Sequence, residues 1–365
     1  MYNIEYKSPK ATLVKNLKQH KNQHIEMHRT VKTAHTNKYS PYKQYTYDKI
    51  RNFTFANNSI MEQFEVHILG CGSALPTTRH NASSQIVRVG NELMMIDCGE
   101  GTQLQIRKAH QHFARLNHVF ISHLHGDHCF GLIGMISTFG LLGRATPLHI
   151  YAHPMLRILL TPQLEYFCKG MNYEVVIHDI HPDRQEVIYE SKSIKVETLS
   201  LNHRIPCCGF LISEKPKKRH IRPDMLEFYK IPLYARPALR EGEDYVTADG
   251  ERIPNERLTT PPDRSRSYAY CSDTKPCPEI TEAIKGVDLL YHEATFANKE
   301  RKRAEETYHS TAEQAATIAR DAQVKQLVIG HFSSRYDDER LLLDEARTIF
   351  PATELAKENI TFKIP

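Results

Sequence analysis

No stretch of this 365-residue sequence is long and apolar enough to cross a bilayer. The longest apolar run, Cys129 to Gly143, is broken by glycines and by Ser137-Thr138, whereas a spanning helix needs ~20 apolar residues. The first thirty residues also lack an apolar segment and carry Lys and His throughout. No secretory signal is visible there, and a cytoplasmic location with no membrane partner is expected. The 8 cysteines include no Cys-x-x-Cys pair, which argues against a structural zinc knuckle. Without an export signal they are expected to be free thiols filling buried strand ends. With 40% hydrophobic and 25% charged residues, the chain is neither collagen-like, nor a disulfide scaffold, nor wholly disordered.

Acidic residues are scarce at one end. Residues 1–60 hold 11 Lys+Arg against 3 Asp+Glu, a net of +8, while the whole chain is +5. The remaining residues are therefore slightly acidic, and a nucleic-acid surface on the folded body must come from local patches. Residues 1–60 also have few aliphatic side chains and no sustained periodicity, so they are expected to form a basic, disordered extension. His20, His24 and His28 lie within it and are expected to be solvated.

From Met61 onward, short runs rich in Val, Ile, Leu and Tyr recur between turn signals. They predict strands at 66–69, 84–89, 92–96, 118–121, 148–151, 175–177, 194–201, 209–212, 268–271, 287–291 and 326–329. Helical patterns interleave at 131–142, 154–167, 312–322 and 338–350. This alternation predicts an α/β fold with two layered sheets and helices outside them. Residues 214–266 break the pattern, with six prolines between Pro216 and Pro261 and a basic start, Lys215-Pro-Lys-Lys-Arg-His-Ile-Arg222. A segment this long is more often functional than filler, and its start is a candidate phosphate-contacting patch.

The densest chemistry is His123-Leu-His-Gly-Asp-His128. Residues two apart on extended chain point the same way, so His123 and His125 can face one ion. Gly126 is expected to permit a sharp turn that delivers Asp127 and His128. Packing does not explain four donors in six residues. Imidazole suits zinc, and carboxylate extends the choice to Mn or Fe. Further donors, His203, Asp273, Glu293 and His331, each close an apolar strand, the position where open α/β sheets build their sites. Five His and two Asp are too many for one tetrahedral zinc and fit two metals ~3.5–4 Å apart.

His-x-His-x-Asp-His after a strand resembles the signature of the metallo-β-lactamase superfamily. Within it, the chain resembles the ribonuclease Z family, whose landmarks it matches in order over about residues 64–335. These are Leu69-Gly-Cys-Gly-Ser-Ala-Leu-Pro76, Asp97-Cys-Gly-Glu-Gly-Thr-Gln103, Ile121-Ser-His-Leu-His-Gly-Asp-His128, Asn202-His-Arg204, Ser272-Asp-Thr274, His292-Glu-Ala-Thr295, His309-Ser-Thr311 and Gly330-His-Phe332. The His-Glu-Ala-Thr and His-Ser-Thr segments are the discriminating ones.

The resemblance implies a four-layer αββα sandwich as one catalytic domain over 61–365, with 214–266 inserted as a tRNA-binding arm. It implies an endoribonuclease that removes the 3′ trailer from precursor tRNA, leaving a tRNA 3′-hydroxyl and a trailer 5′-phosphate. Two zinc ions per subunit are implied, with Mn or Fe as substitutes. His123, His125 and His203 would hold one ion, Asp127, His128 and His331 the other, and Asp273 would bridge them. Asp127 would also accept the proton of the attacking water, and His309 with Glu293 would protonate the leaving group. A homodimer is implied as well. The sequence Ser310-Thr-Ala-Glu313 predicts a capping box that starts a helix just after His309. The loop Pro76-Thr-Thr-Arg-His-Asn81 departs from the family pattern Pro-x-Lys-x-Arg-Asn, with Thr78 for Lys and His80 for Arg. The alternative enzyme is a hydrolase of small phosphodiesters or sulfate esters on the same fold. A non-catalytic RNA binder would be expected to have lost some of the ligands.

Overall fold

The computed structural model describes residues 63–75 and 77–365. The expected N-terminal extension, with His20, His24 and His28, and the loop residue Pro76 lie outside them.

Two seven-stranded sheets form the body. The first contains β1 (Phe64–Gly70), β2 (Ser84–Val89), β3 (Glu92–Ile96), β4 (Leu116–Phe120), β5 (Leu148–Ala152) and β6 (Val175–Asp179). The second contains β7 (Val187–Glu190), β8 (Ile194–Ser200), β9 (Cys208–Glu214), β14 (Ser267–Cys271), β15 (Leu289–Glu293), β16 (Gln326–Gly330) and β17 (Thr353–Leu355). The last strand, β18 (Thr361–Lys363), returns to pair with β1 antiparallel and completes the first sheet. Each sheet is antiparallel in one half and parallel in the other: β3 to β6 run parallel, as do β14 to β17.

The period-two alternation of the strands explains why both faces of the first sheet are covered. Phe64, Val66, Ile68, Met94 and Ile96 join Phe210, Tyr268 and Tyr270 in the core between the sheets. Ile86, Leu93, Met95 and Val119 point the other way, onto the helices Thr102–Lys108, Gly131–Leu141 and Met155–Phe167. Beyond the second sheet, the helices Ala312–Asp321 and Arg340–Arg347 pack on β15, β16 and β17. The result is the expected αββα order of layers.

All eleven expected strands appear, together with strands that the sequence pattern did not reveal: β7, β17, β18 and two short pairs inside 214–266. In that segment β10 (His220–Ile221) pairs with β13 (Thr259–Thr260), and β11 (Tyr245–Val246) pairs with β12 (Arg252–Ile253). These pairs and the helix Pro223–Phe228 surround a small core of Leu226, Ile231, Ala235, Leu239, Ile253 and Leu258. A buried ion pair closes the base. Arg266 Nη2 and Nε donate to the two oxygens of Glu214 at 2.6 and 2.9 Å, and the Arg266 backbone N–H donates to Glu214 Oε2 at 2.9 Å. This forked geometry fixes both spacing and orientation where the segment leaves the sheet.

Candidate metal centre

The strand ends deliver the donors. After β4 the chain stays extended through His125, then Asp127 and His128 enter a short helix, Gly126–Cys129. His203 follows β8, Asp273 follows β14, Glu293 is the last residue of β15, and His331 follows β16. The chain turns from extended at His125 directly into the helix at Gly126, and the glycine does so without a left-handed conformation. A Cβ there would lie 2.4 Å from the Phe130 ring, so the glycine makes room for a close ring contact.

Two donor groups share Asp273. In the first, His123 Nε2 and His203 Nε2 lie 3.0 and 3.2 Å from His125 Nδ1, and 3.6 and 3.9 Å from Asp273 Oδ2. In the second, His128 Nε2 and His331 Nε2 are 3.3 Å apart. They lie 3.5 and 3.4 Å from Asp127 Oδ2, and 3.4 and 3.2 Å from Asp273 Oδ1. Each carboxylate oxygen of Asp273 therefore faces one group.

The outer nitrogens show which lone pairs are free. His128 Nδ1 donates to Asp97 Oδ2 at 2.8 Å, and His203 Nδ1 donates to the Tyr308 carbonyl at 3.0 Å. His331 Nδ1 is 2.9 Å from Thr295 Oγ1, and His123 Nδ1 is 3.0 Å from Ser122 Oγ. Engaging the outer Nδ1 of His128 and His203 turns each Nε2 inward, the arrangement that metal-ligating imidazoles use. Burial pushes His123, His125 and His203 below their ordinary pKa, which keeps them neutral. Burial opposes ionisation of Asp127 and Asp273, but the surrounding imidazoles hold both carboxyls well below the usual carboxylate range. Burial opposes charge on His128, but the same carboxylates and Asp97 raise it well above its ordinary pKa. Positive charge is therefore favoured among these groups, and convergent imidazoles with ionised carboxylates suit a divalent cation.

Sequence reasoning gave Asp97 no role. It is fully buried and accepts from Ser122 N, Ser122 Oγ, His128 Nδ1 and Tyr270 OH at 2.7–2.9 Å. It adopts φ +57°, and Ala74, Tyr308 and His331 are also left-handed. Such conformations cluster where surrounding structure over-determines the backbone. Its sequence signals were an acid directly after an apolar strand and its place at the head of the landmark Asp97-Cys-Gly-Glu-Gly-Thr-Gln103.

Glu293 and His309 form a second buried unit. His309 Nδ1 lies 2.8 Å from Glu293 Oε1. Glu293 also accepts from the backbone N–H groups of Thr274 and Thr295, each at 3.0 Å, and from Thr295 Oγ1 at 2.7 Å. Burial lowers the pKa of His309, but the Glu293 charge and hydrogen bond outweigh it and hold the imidazole at about 9. The expected capping box sits one residue further on. Thr311 is the N-cap, accepting from Gln314 N at 3.3 Å while Gln314 Oε1 accepts from Thr311 N at 2.9 Å. Ser310 Oγ instead donates to the Thr274 carbonyl at 2.7 Å. A cavity of about 430 Å³ opens over Asp127, Asp273, His309 and His331, with Arg204 and Phe130 also lining it. Phe130 is 70% exposed.

A four-layer αββα sandwich with this His/Asp centre defines a hydrolase of the metallo-β-lactamase fold. The Beta-lactamase superfamily domain profile matches residues 257–332, and the profile of the Anti-Pycsar protein Apyc1 matches residues 64–225. The chain is 60% identical over 304 residues to a ribonuclease Z of Phocaeicola vulgatus, covering 83% of this chain and 98% of that protein. It is 55% identical over 300 residues to a ribonuclease Z of Porphyromonas gingivalis, covering 82% and 99%. Among solved structures, the short form of human tRNase Z superposes with a TM-score of 0.60 at 25% identity, covering 82% of this chain and 99% of that one. A long-form RNase Z from yeast shares the fold at a TM-score of 0.58 and 18% identity, covering 84% and 43%. The chain belongs to the ribonuclease Z family.

Proposed function

We propose that the chain is a metal-dependent endoribonuclease that removes the 3′ trailer from precursor tRNA. The observation that carries this reading is the convergence of seven donors, His123, His125, Asp127, His128, His203, Asp273 and His331, on two adjacent positions that share Asp273. His123, His125 and His203 would hold one cation, Asp127, His128 and His331 the other, with Asp273 between them. Zinc suits the donors, and Mn or Fe also fit. Such a pair supplies Lewis acidity to the phosphate and lowers the pKa of water.

The protein's own groups do the rest. Asp127 lines the cavity and would accept the proton of the attacking water. His309 keeps its Nδ1 on Glu293, which leaves Nε2–H to protonate the departing 3′-oxygen of the tRNA. Glu293, fixed by three other donors, orients the ring and stabilises its charged form. The products are then a tRNA 3′-hydroxyl and a trailer 5′-phosphate. Arg204 and Phe130 at the cavity suit a backbone phosphate and a base face.

The segment 214–266 acts in this reading as the tRNA arm of a catalytic domain spanning 61–365. Its basic start is already paired: Lys215 with Glu190 at 2.8 Å, Lys217 with Glu214 at 3.1 Å and Arg222 with Asp224 at 3.0 Å. The Lys215 and Arg222 pairs are largely exposed and worth only ~0–1 kcal/mol, so phosphates can replace their carboxylates at little cost, whereas the partner of Lys217 is the buried Glu214. The exposed Leu141, Ile158, Leu159 and Phe167 on two neighbouring helices give a homodimer an apolar surface. Among the described residues no helix is long and apolar enough to cross a membrane.

Incubating the purified protein with a trailer-bearing precursor tRNA, with and without chelator, tests the reading. Cleavage at the trailer junction that needs metal supports it. Turnover of bis-p-nitrophenyl phosphate with the precursor left intact would favour the small-phosphodiester alternative.

A further inference from the structure

A second group of unlike donors lies outside the main centre. Cys71, directly after β1, is fully buried, and the side chains of His80 and Glu358 are only 13% and 15% exposed. Cys71 Sγ lies 3.5 Å from His80 Nδ1 and 3.6 Å from Glu358 Oε1, and His80 Nδ1 lies 3.3 Å from that same oxygen. Around a tetrahedral zinc with bonds of ~2.3 Å to sulfur and ~2.0–2.1 Å to nitrogen and oxygen, neighbouring donors fall ~3.4–3.6 Å apart. The three measured separations have nearly these values. We propose that Cys71, His80 and Glu358 hold a zinc-type divalent cation, distinct from the main centre, with water in the fourth position.

Three further observations fit a cation. His80 Nε2 lies 3.0 Å from Glu339 Oε1, so the ring donates outward to a carboxylate while Nδ1 faces the other donors. Metal-ligating histidines usually have this outer partner. Gly72 lets the loop close in, because a Cβ there would come within 2.9 Å of His80 Cβ. The Asn81 N–H donates to Glu358 Oε1 at 2.9 Å and fixes the carboxylate. His80 also stands where the family pattern has Arg, which cannot ligate a metal.

A mixed sulfur, nitrogen and oxygen set favours zinc over magnesium or calcium. The cation would tie the loop 77–81 to the chain between β17 and β18. It would also steady the cavity wall, because Ala74, three residues after Cys71, donates its N–H to Asp127 Oδ2 at 2.7 Å. This inference does not depend on which substrate the main centre takes.

Cobalt(II) substitution of the full chain tests it. The main centre offers only nitrogen and oxygen donors, so a near-ultraviolet thiolate-to-cobalt charge-transfer absorption reports the Cys71 site. The unaltered protein at cobalt saturation should show it. Cys71→Ser should lose the absorption together with one metal equivalent per chain. His80→Arg should lose both as well, while its guanidinium keeps a charge between Glu339 and Glu358 and so preserves the loop. That second variant decides the matter if Cys71→Ser does not fold. No such absorption in the unaltered protein, or its persistence in either folded variant, overturns the proposal and leaves His80 as an imidazolium between two glutamates.

Discussion

Replacing Asp97 by Asn should weaken the metal centre although Asp97 touches no cation. In the folded protein Asp97 Oδ2 receives His128 Nδ1, Ser122 Oγ and Tyr270 OH, while Oδ1 receives the Ser122 backbone N–H. An amide keeps the shape and cannot keep the pattern. With its oxygen at the Oδ2 position, its NH₂ points at the Ser122 N–H, donor against donor. In the opposite orientation it faces three donors. The milder case still leaves a buried donor unpaired and trades charge-assisted bonds for neutral ones, a loss on the order of 2–4 kcal/mol in stability. The same change loosens the ring of His128, and disrupting an outer partner of this kind typically costs ~10–100-fold in metal affinity. Urea unfolding in excess chelator measures the first effect, and competition with a chromophoric chelator measures the second. A variant as stable as the parent and binding metal equally well would refute the claim that Asp97 sets the His128 ring.

Other outcomes follow from the same geometry. His309→Ala should slow single-turnover cleavage ~10²–10⁴-fold with metal content unchanged, the usual contribution of a positioned acid. The imidazole is held at about 9, so its proton is present below that pH and is lost as pH rises through it. Cleavage should therefore fall on the alkaline side, and Glu293→Gln, which removes the group raising that value, should move the fall to lower pH. Replacing residues 217–263 by a short linker should abolish precursor cleavage yet spare bis-p-nitrophenyl phosphate hydrolysis, because the Glu214–Arg266 pair still closes the base; equal loss of both activities would contradict the arm's role. Thr311→Ala should cost ~1 kcal/mol in urea unfolding through loss of the N-cap, and rate-limiting precursor binding should weaken steeply with salt while small-ester turnover does not.

The proposed metal ligands were legible because their chemistry is crowded. Four donors in six residues have no role in packing, and His203, Asp273 and His331 each close an apolar strand. The strands of the body were legible because Val, Ile and Leu alternate between two cores. Other features depend on partners far along the chain. Asp97 heads a recognisable landmark, but its role shows only when Ser122, His128 and Tyr270 gather on it. The capping box could begin at Ser310 or Thr311, since Glu313 and Gln314 serve the two frames equally, and the Thr274 carbonyl decides by occupying Ser310. The core of the 214–266 segment escaped notice because Leu226, Ile231, Leu239 and Leu258 are spaced irregularly among prolines. The pairing of β18 with β1 joins residues at opposite ends of the described chain, which no local pattern encodes.

The central claim is that two cations sit side by side, one on each oxygen of Asp273. Anomalous diffraction at the zinc edge from crystals of the zinc-loaded protein tests it most directly. The account predicts two peaks flanking Asp273, ~3.5–4 Å apart, one against His123, His125 and His203 and the other against Asp127, His128 and His331. A single peak there, or density that leaves His203 or His331 outside both coordination spheres, would contradict it.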